Sequence, residues 1–268
     1  MDHLNRLKAA FGWTRSSYWL LSVFLATIVI IGVVWWPLLE AELAWVDWDQ
    51  PLWRQMDWLL LGNFLVMSVL IMAGADLKRD VLMILIGLAG GLVIEGWGTQ
   101  TRLWDYYTME RPPLWIIPAW PIASLAIDRL VRVFDMLSDH LSDHPFKAVY
   151  WPVFGVFCVL MLVFVWPTAD KSLTVMALLL SGFLILTPTD HRLAVLNFAA
   201  GAGLGYFLEL WGTTRYCWIY YTHQTPPFFA VLAHGMAAVA FWRVKHLAML
   251  FVGNISAAQE PPVTEGTG

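Results

Sequence analysis

Long apolar stretches alternate with short polar ones along the chain, and their lengths predict the elements. Runs long enough, or nearly long enough, to cross about 30 Å of hydrocarbon occur at 16–37, 57–75, 79–96, 113–133, 148–167, 172–188, 192–210 and 227–250. The pattern predicts an all-α polytopic membrane protein with eight transmembrane helices.

The chain also repeats itself. Glu95-Gly96-Trp97-Gly98-Thr99, followed by Trp104, Tyr106-Tyr107-Thr108 and Pro112-Pro113, returns 114 residues later as Glu209-Leu210-Trp211-Gly212-Thr213, Trp218, Tyr220-Tyr221-Thr222 and Pro226-Pro227. The same offset pairs Gly87 with Gly201, Gly91 with Gly205, Asp76 with Asp190 and Arg129 with Arg243, so the duplication covers several consecutive elements. Spans two to four map onto six to eight. Spans one and five correspond through their shared ends, Trp36-Pro37 and Trp166-Pro167. Four spans per unit is an even number, so the two units are parallel repeats and not inverted ones. The expected organisation is an N-terminal segment 1–15, a first four-helix repeat 16–133, a connector 134–147, a second repeat 148–250 and a disordered tail 251–268.

Composition agrees with a membrane setting. Hydrophobic residues make up 59% and charged residues 13%, against about 45–50% and about 25% in soluble domains. The 17 Trp and 8 Tyr are rings that concentrate at membrane interfaces. The 16 basic residues divide into 11 on one side of the eight-span scheme (Arg6, Lys8, Arg15, Lys78, Arg79, Arg129, Arg132, Lys147, Arg192, Arg243, Lys245) and 5 on the other. That bias places both termini in the cytoplasm and the protein in the cell inner membrane as a multi-pass chain. The segment before Ser16 is polar and basic, and the first apolar run lacks a small-residue cleavage site, so it reads as a retained helix and not a signal peptide. A net charge of -4 with scattered cations gives no nucleic-acid partner. Cys158 and Cys217 lie in unlike settings and form no disulfide framework.

The repeated segment carries the candidate chemistry. Glu95 and Glu209 fall where apolar helix is expected to give way to a Trp-Gly turn, and a carboxylate there is costly unless hydrated, protonated or paired. Arg102, Arg215 and the hydroxyls of Tyr106, Tyr107, Tyr220 and Tyr221 are candidate partners. Two readings stay open: each Glu braces its own loop, or the two carboxyls, with Tyr106 and Tyr220, form an acid/base centre in a shared cleft. Gly98 and Gly212 are expected to let the chain reverse beside a helix end, and the Pro pairs to mark the starts of spans four and eight. Asp76 and Asp190 read as helix N-caps. Trp104, Trp211 and Trp218 serve either as belt residues or as walls of an apolar pocket, where indole faces would suit a cationic intermediate.

The copies also differ. Trp115 and Trp120 stand opposite Phe229 and His234, and Met109 opposite His223. Unlike linings on a duplicated scaffold imply one asymmetric site. His234 is either a satisfied core histidine or a proton-transfer group, and His223 either faces water or carries protons to a Glu. Trp115, Trp120 and His223 join the candidate substrate-binding set. On the opposite side Asp135, Asp139 and Asp143, with His140 and His144, would line two helical stripes that either hold a divalent ion or belong to a solvated connecting helix. The second half has no matching acidic cluster, and neither metal nor cofactor is expected.

At Glu95, Gly98, Tyr106, Tyr107, Pro113, Pro118 and Trp120 the chain resembles the membrane-embedded carotenoid hydratase family and, more distantly, the small membrane lycopene cyclases. The resemblance implies a multi-helix enzyme that protonates a polyene end without metal or redox cofactor, with Glu95 and Glu209 at acidic positions of the family. The function expected is acid/base chemistry on an isoprenoid or other lipid. Two alternatives stand beside it: a non-catalytic pigment- or lipid-binding subunit or assembly factor with partner membrane subunits, and a lipid or small-molecule transporter.

Overall fold

The computed structural model describes residues 12–258, with 252–258 as backbone alone. Nine α-helices occupy the described residues: α1 (Arg15–Val34), α2 (Trp36–Leu43), α3 (Trp58–Met72), α4 (Leu77–Thr101), α5 (Ala119–Leu137), α6 (His144–Val165), α7 (Ser172–Leu186), α8 (His191–Thr214) and α9 (Phe228–Ala258). Two three-residue strands, β1 (Trp104–Tyr106) and β2 (Trp218–Tyr220), follow α4 and α8.

Among the described residues five segments are long and apolar enough to cross a membrane: α1, α4, His144–Thr168, α8 and the Phe228–Phe251 part of α9. The other three expected spans differ for separate reasons. Helices α3 and α7 have 15 residues each, about 22 Å of rise against about 30 Å of hydrocarbon. Helix α5 carries Asp128, Arg129, Arg132 and Asp135, and it begins at Ala119 and not after Pro113. In the second copy α9 does start directly after Pro226-Pro227. Pro118, at the N-cap of α5, accounts for the delay, because a proline disfavours helical geometry in the residue before it. Helix α9 runs on to Ala258, into the stretch expected as a tail, and residues 259–268 lie outside those described, as do 1–11 of the N-terminal segment.

Local capping sets the element starts. Thr14 and Ser17 form a reciprocal capping box at α1, and both hydroxyls also donate across to the end of the α3 region, Thr14 Oγ1 to Ala75 O (2.9 Å) and Ser17 Oγ to Met72 O (2.7 Å). Asp76 and Asp190 cap α4 and α8 as expected, accepting from Lys78 N and Leu193 N.

The two copies hold each other through matched links. Trp97 Nε1 donates to Thr174 Oγ1 (3.1 Å) and Trp211 Nε1 to Asp57 Oδ2 (2.9 Å). Lys171 Nζ donates to Thr101 O (3.1 Å), and Arg215 Nε to Asp57 Oδ2 (3.0 Å). Arg215 therefore serves Asp57 and not Glu209. Tyr107 OH donates to Val34 O, and Tyr221 OH to Phe164 O (2.8 Å). The tryptophan, lysine and arginine ties join the end of α4 or α8 to the start of α7 or α3 in the other sequence repeat, whereas the two tyrosine ties stay within one repeat and join the residue after β1 or β2 to the end of α1 or α6.

The strands were not expected from the sequence, and they join the chain just beyond the ends of α4 and α8. β1 and β2 pair antiparallel with Trp104 opposite Tyr220, Asp105 opposite Ile219 and Tyr106 opposite Trp218. Asp105 and Ile219 correspond under the offset, so the bridge is symmetric about a local twofold axis through that pair. Its four aromatic residues meet across the axis, Trp104 with Tyr220 at 5.8 Å and Tyr106 with Trp218 at 5.9 Å between ring centres.

Candidate functional site

Glu95 does not end its helix. Helix α4 continues to Thr101 and α8 to Thr214, so Glu95 and Glu209 sit one to two turns inside, 3% and 2% exposed. Gly98 and Gly212 are consequently helical, and their role is space. A Cβ at Gly98 would lie 1.8 Å from Trp104 Cη2, and one at Gly212 would lie 1.9 Å from Trp218 Cη2. Each missing side chain is the slot in which the strand's indole lies back over the helix. Gly98→Ala or Gly212→Ala should displace that indole and destabilise the fold by roughly 1–3 kcal/mol, measurable as a lower thermal midpoint in detergent.

The slots aim two sets of donors at two carboxylates. Glu95 accepts from Trp104 Nε1 at Oε2 (3.1 Å), and from Tyr106 OH (2.9 Å) and Trp120 Nε1 (3.1 Å) at Oε1. Glu209 accepts from Trp218 Nε1 at Oε2 (3.0 Å) and from Tyr220 OH at Oε1 (2.8 Å), and His234 Nε2 lies 2.8 Å from the same Oε1. The sites are copies except for the third partner. Trp120 can only donate, whereas His234 donates or accepts according to its tautomer. These two rings stack on each other, 6.1 Å between centres and 23° between planes, so the difference lies where the copies meet. Burial first, and the adjoining carboxylate second, holds the Tyr106 and Tyr220 hydroxyls well above their ordinary range, which keeps them protonated as donors.

Both carboxylates face one cavity of about 500 Å³, within the usual range of roughly 300–1,000 Å³ for ligand sites. Glu95, Glu209, Trp104, Tyr106, Trp120, Tyr220 and His234 form one end of it. The remainder is wall from α4, α6, α7 and α9, including Ala89, Leu184, Ala237 and Phe241, and is apolar except for Ser181, whose hydroxyl donates to Ala177 O of its own helix. Leu85, Val93 and Leu180 also line it, and each is half or more exposed on the outer flank. Its open side therefore lies between α4 and α7, toward the surface a membrane would cover.

Four of the residues expected at the site lie elsewhere or behind it. Trp218 touches Glu209 but not the cavity. Trp115 packs edge-on against Trp35 and Tyr106, and Trp211 stacks on Trp35 and bonds Asp57. His223 is exposed in a left-handed turn position, φ 54°, as is Met109 at φ 60°, so the shared requirement is the turn and His223 does not reach the Glu. Arg102 is the exposed left-handed cap of α4 and likewise leaves Glu95 to its indole and phenol donors. Phe241 and the wall of α7 went unforeseen, since only the packing of α9 against α4 and α7 reveals them.

The acidic segment after α5 is not a ligand stripe. Helix α5 stops at Leu137 with Ser138 as its cap, which removes the helical spacing, and Asp135 pairs with Arg192 at 2.9 Å. Among the described residues no group of three His, Cys, Asp or Glu side chains is placed to hold a metal ion. Cys158 and Cys217 are unpaired with each other, and burial pushes the Cys217 thiol up to about 12. No protein-family model, characterised protein or solved structure matches the chain.

Proposed function

We propose that the chain is an integral membrane enzyme that protonates the unsaturated end of an isoprenoid or another lipid, in the manner of a hydratase or cyclase. One observation carries this reading: an apolar cavity opening on the flank of the helices ends at two buried carboxylates, only one of which has a histidine as its third partner.

The roles follow from the partners. Glu209 and His234 share one hydrogen bond, and a proton held between them can pass to a carbon–carbon double bond at the cavity end. Protonation leaves a cationic carbon. The faces of Trp104, Trp120 and Phe241 and the charge of Glu95 stabilise it until water adds or a neighbouring proton leaves. Glu95, fixed by two indoles that cannot accept, acts as the brace and counter-charge. The two readings of the Glu pair thus separate, one to each copy. The resemblance of the Glu95 to Trp120 region to carotenoid hydratases fits the same chemistry.

Seating in the membrane follows the same reading. Helices α3, α5 and α7 complete eight spans in two parallel four-helix units. Polar ties cluster at two ends, Asp57–Arg215 and Lys171–Thr101 at one, and Asp80–Arg129 and Asp128–Lys245 at the other. The end richer in Lys and Arg is assigned to the cytoplasm of an inner membrane, with both termini.

Filling the cavity away from the carboxylates tests the substrate class. Ala237 lines the apolar wall. Ala237→Phe should lower the isoprenoid lipid that copurifies in mild detergent, and its conversion, by about tenfold. The thermal midpoint should change little. Undiminished lipid in this variant would remove the cavity from the account.

A further inference from the structure

Arg129 and Arg243 correspond under the 114-residue offset, yet only one of them is satisfied. Arg129 is 2% exposed and fully engaged: Nη2 meets Asp80 Oδ2 at 2.5 Å, Nε donates to Ala73 O at 3.0 Å, and Nη1 donates to Asp128 Oδ2 at 2.9 Å. Arg243 is 8% exposed. Its Nε and Nη1 are buried without a hydrogen-bond partner, and no ion pair among the described residues includes it.

The sequence explains the difference. The position corresponding to Asp80 is Ala194, fully buried on the first turn of α8. One turn earlier on α8, His191 Nε2 is also buried without a partner. A buried guanidinium with no counter-charge is among the most costly arrangements a protein can keep. Retaining the arginine while deleting its carboxylate leaves a place for an anion from outside the chain.

Its position names the kind of anion. Arg243 is not itself part of the cavity lining, but Met236 and Ala240, seven and three residues before it on the same helical face, are, and Val244, Leu184 and Ile185 line the cavity end opposite the carboxylates. His234 and Val244 are ten residues apart on α9, about 15 Å of helix. The wall between them is apolar.

We propose that Arg243 binds the anionic headgroup, a phosphate or carboxylate, of an amphiphile whose chain lies in the cavity and whose far end meets Glu209 and His234. The assignment rests on the cavity being a lipid site and adds to it the polarity of the substrate. The anion supplies the counter-charge that Asp80 gives Arg129, and the unpartnered Nε and Nη1 N–H groups of Arg243 are donors available to it.

The experiment compares wild type, Arg243→Gln, Ala194→Asp and Glu209→Gln in phosphatidylcholine nanodiscs, titrated with phosphatidic acid or with inorganic phosphate. The readout is the thermal midpoint. Phosphatidic acid should raise the midpoint of wild type saturably, and inorganic phosphate should not. Arg243→Gln should bind at least about tenfold more weakly. Ala194→Asp keeps the arginine and supplies the internal carboxylate, so it should lose the response with its own midpoint unchanged or raised. Glu209→Gln should bind as wild type does. Equal responses in wild type and Ala194→Asp, or none in wild type, would overturn the site, and a response to inorganic phosphate alone would overturn the amphiphile. With lipid conversion followed beside the titration, turnover that survives in Glu209→Gln while Ala194→Asp loses binding would instead reject the acid/base reading and leave the anion site standing.

Discussion

Glu209→Gln should lower turnover by about 10²- to 10⁴-fold, the usual contribution of a positioned acid or base, and should leave the fold intact. The tolerance follows from the partners. A glutamine keeps one carbonyl oxygen for Trp218 Nε1 and turns its amide N–H₂ toward Tyr220 OH and His234 Nε2, both of which can accept. Glu95 has no such freedom. Trp104 and Trp120 reach its two different oxygens, and neither indole can accept. An amide at either place faces an N–H. Glu95→Gln should therefore cost about 1–3 kcal/mol of stability, the penalty of a buried donor left unpaired, while Glu209→Gln should cost little. Thermal midpoints of the two purified variants check the contrast, and equal midpoints would show that the third partner is not what separates the copies.

Asp80→Ala should be the most damaging substitution away from the site. It strips Arg129 of its closest carboxylate in a place where both side chains are under 5% exposed, and breaking one partner of such a pair typically costs about 3–5 kcal/mol. Asp128 would remain on Nη1, but it already serves Arg132 (2.6 Å) and Lys245 (3.2 Å). Adding Arg129→Met should recover most of the loss, since the penalty is the uncompensated charge. Thermal unfolding of the single and double variants in the same detergent measures both. A double variant no better than the single one would mean that the contacts of Arg129 with Ala73 O and Asp128 carry the stability.

The sequence revealed most where a requirement was written twice. The offset brought Glu95, Trp104, Tyr106 and Trp120 into line with Glu209, Trp218, Tyr220 and His234, and those eight make the two matched carboxylate sites. The caps at Asp76 and Asp190 were equally legible, since an acid before an apolar run has few other uses. Local reading failed where tertiary packing decides. Gly98 and Gly212 suggested turns, because nothing in the order of residues says that an indole returns to lie on a helical glycine. Two short strands were hidden inside Trp-Asp-Tyr and Trp-Ile-Tyr, which form a bridge only by meeting each other. His223 drew attention as a titratable group, although its place is set by a left-handed turn that Met109 fills as well. The anion site at Arg243 required both kinds of information, the alignment of the copies and the burial of the guanidinium.

The most direct measurement follows lipids in cells that make isoprenoids and express wild type or Glu209→Gln in deuterated water, with extracts read by mass spectrometry. Wild type should yield a new lipid, either one water heavier than its precursor or isomeric with it, carrying deuterium at the protonated carbon, and Glu209→Gln should yield none. Identical lipids in wild type, Glu209→Gln and cells lacking the protein would contradict acid/base catalysis at the paired carboxylates.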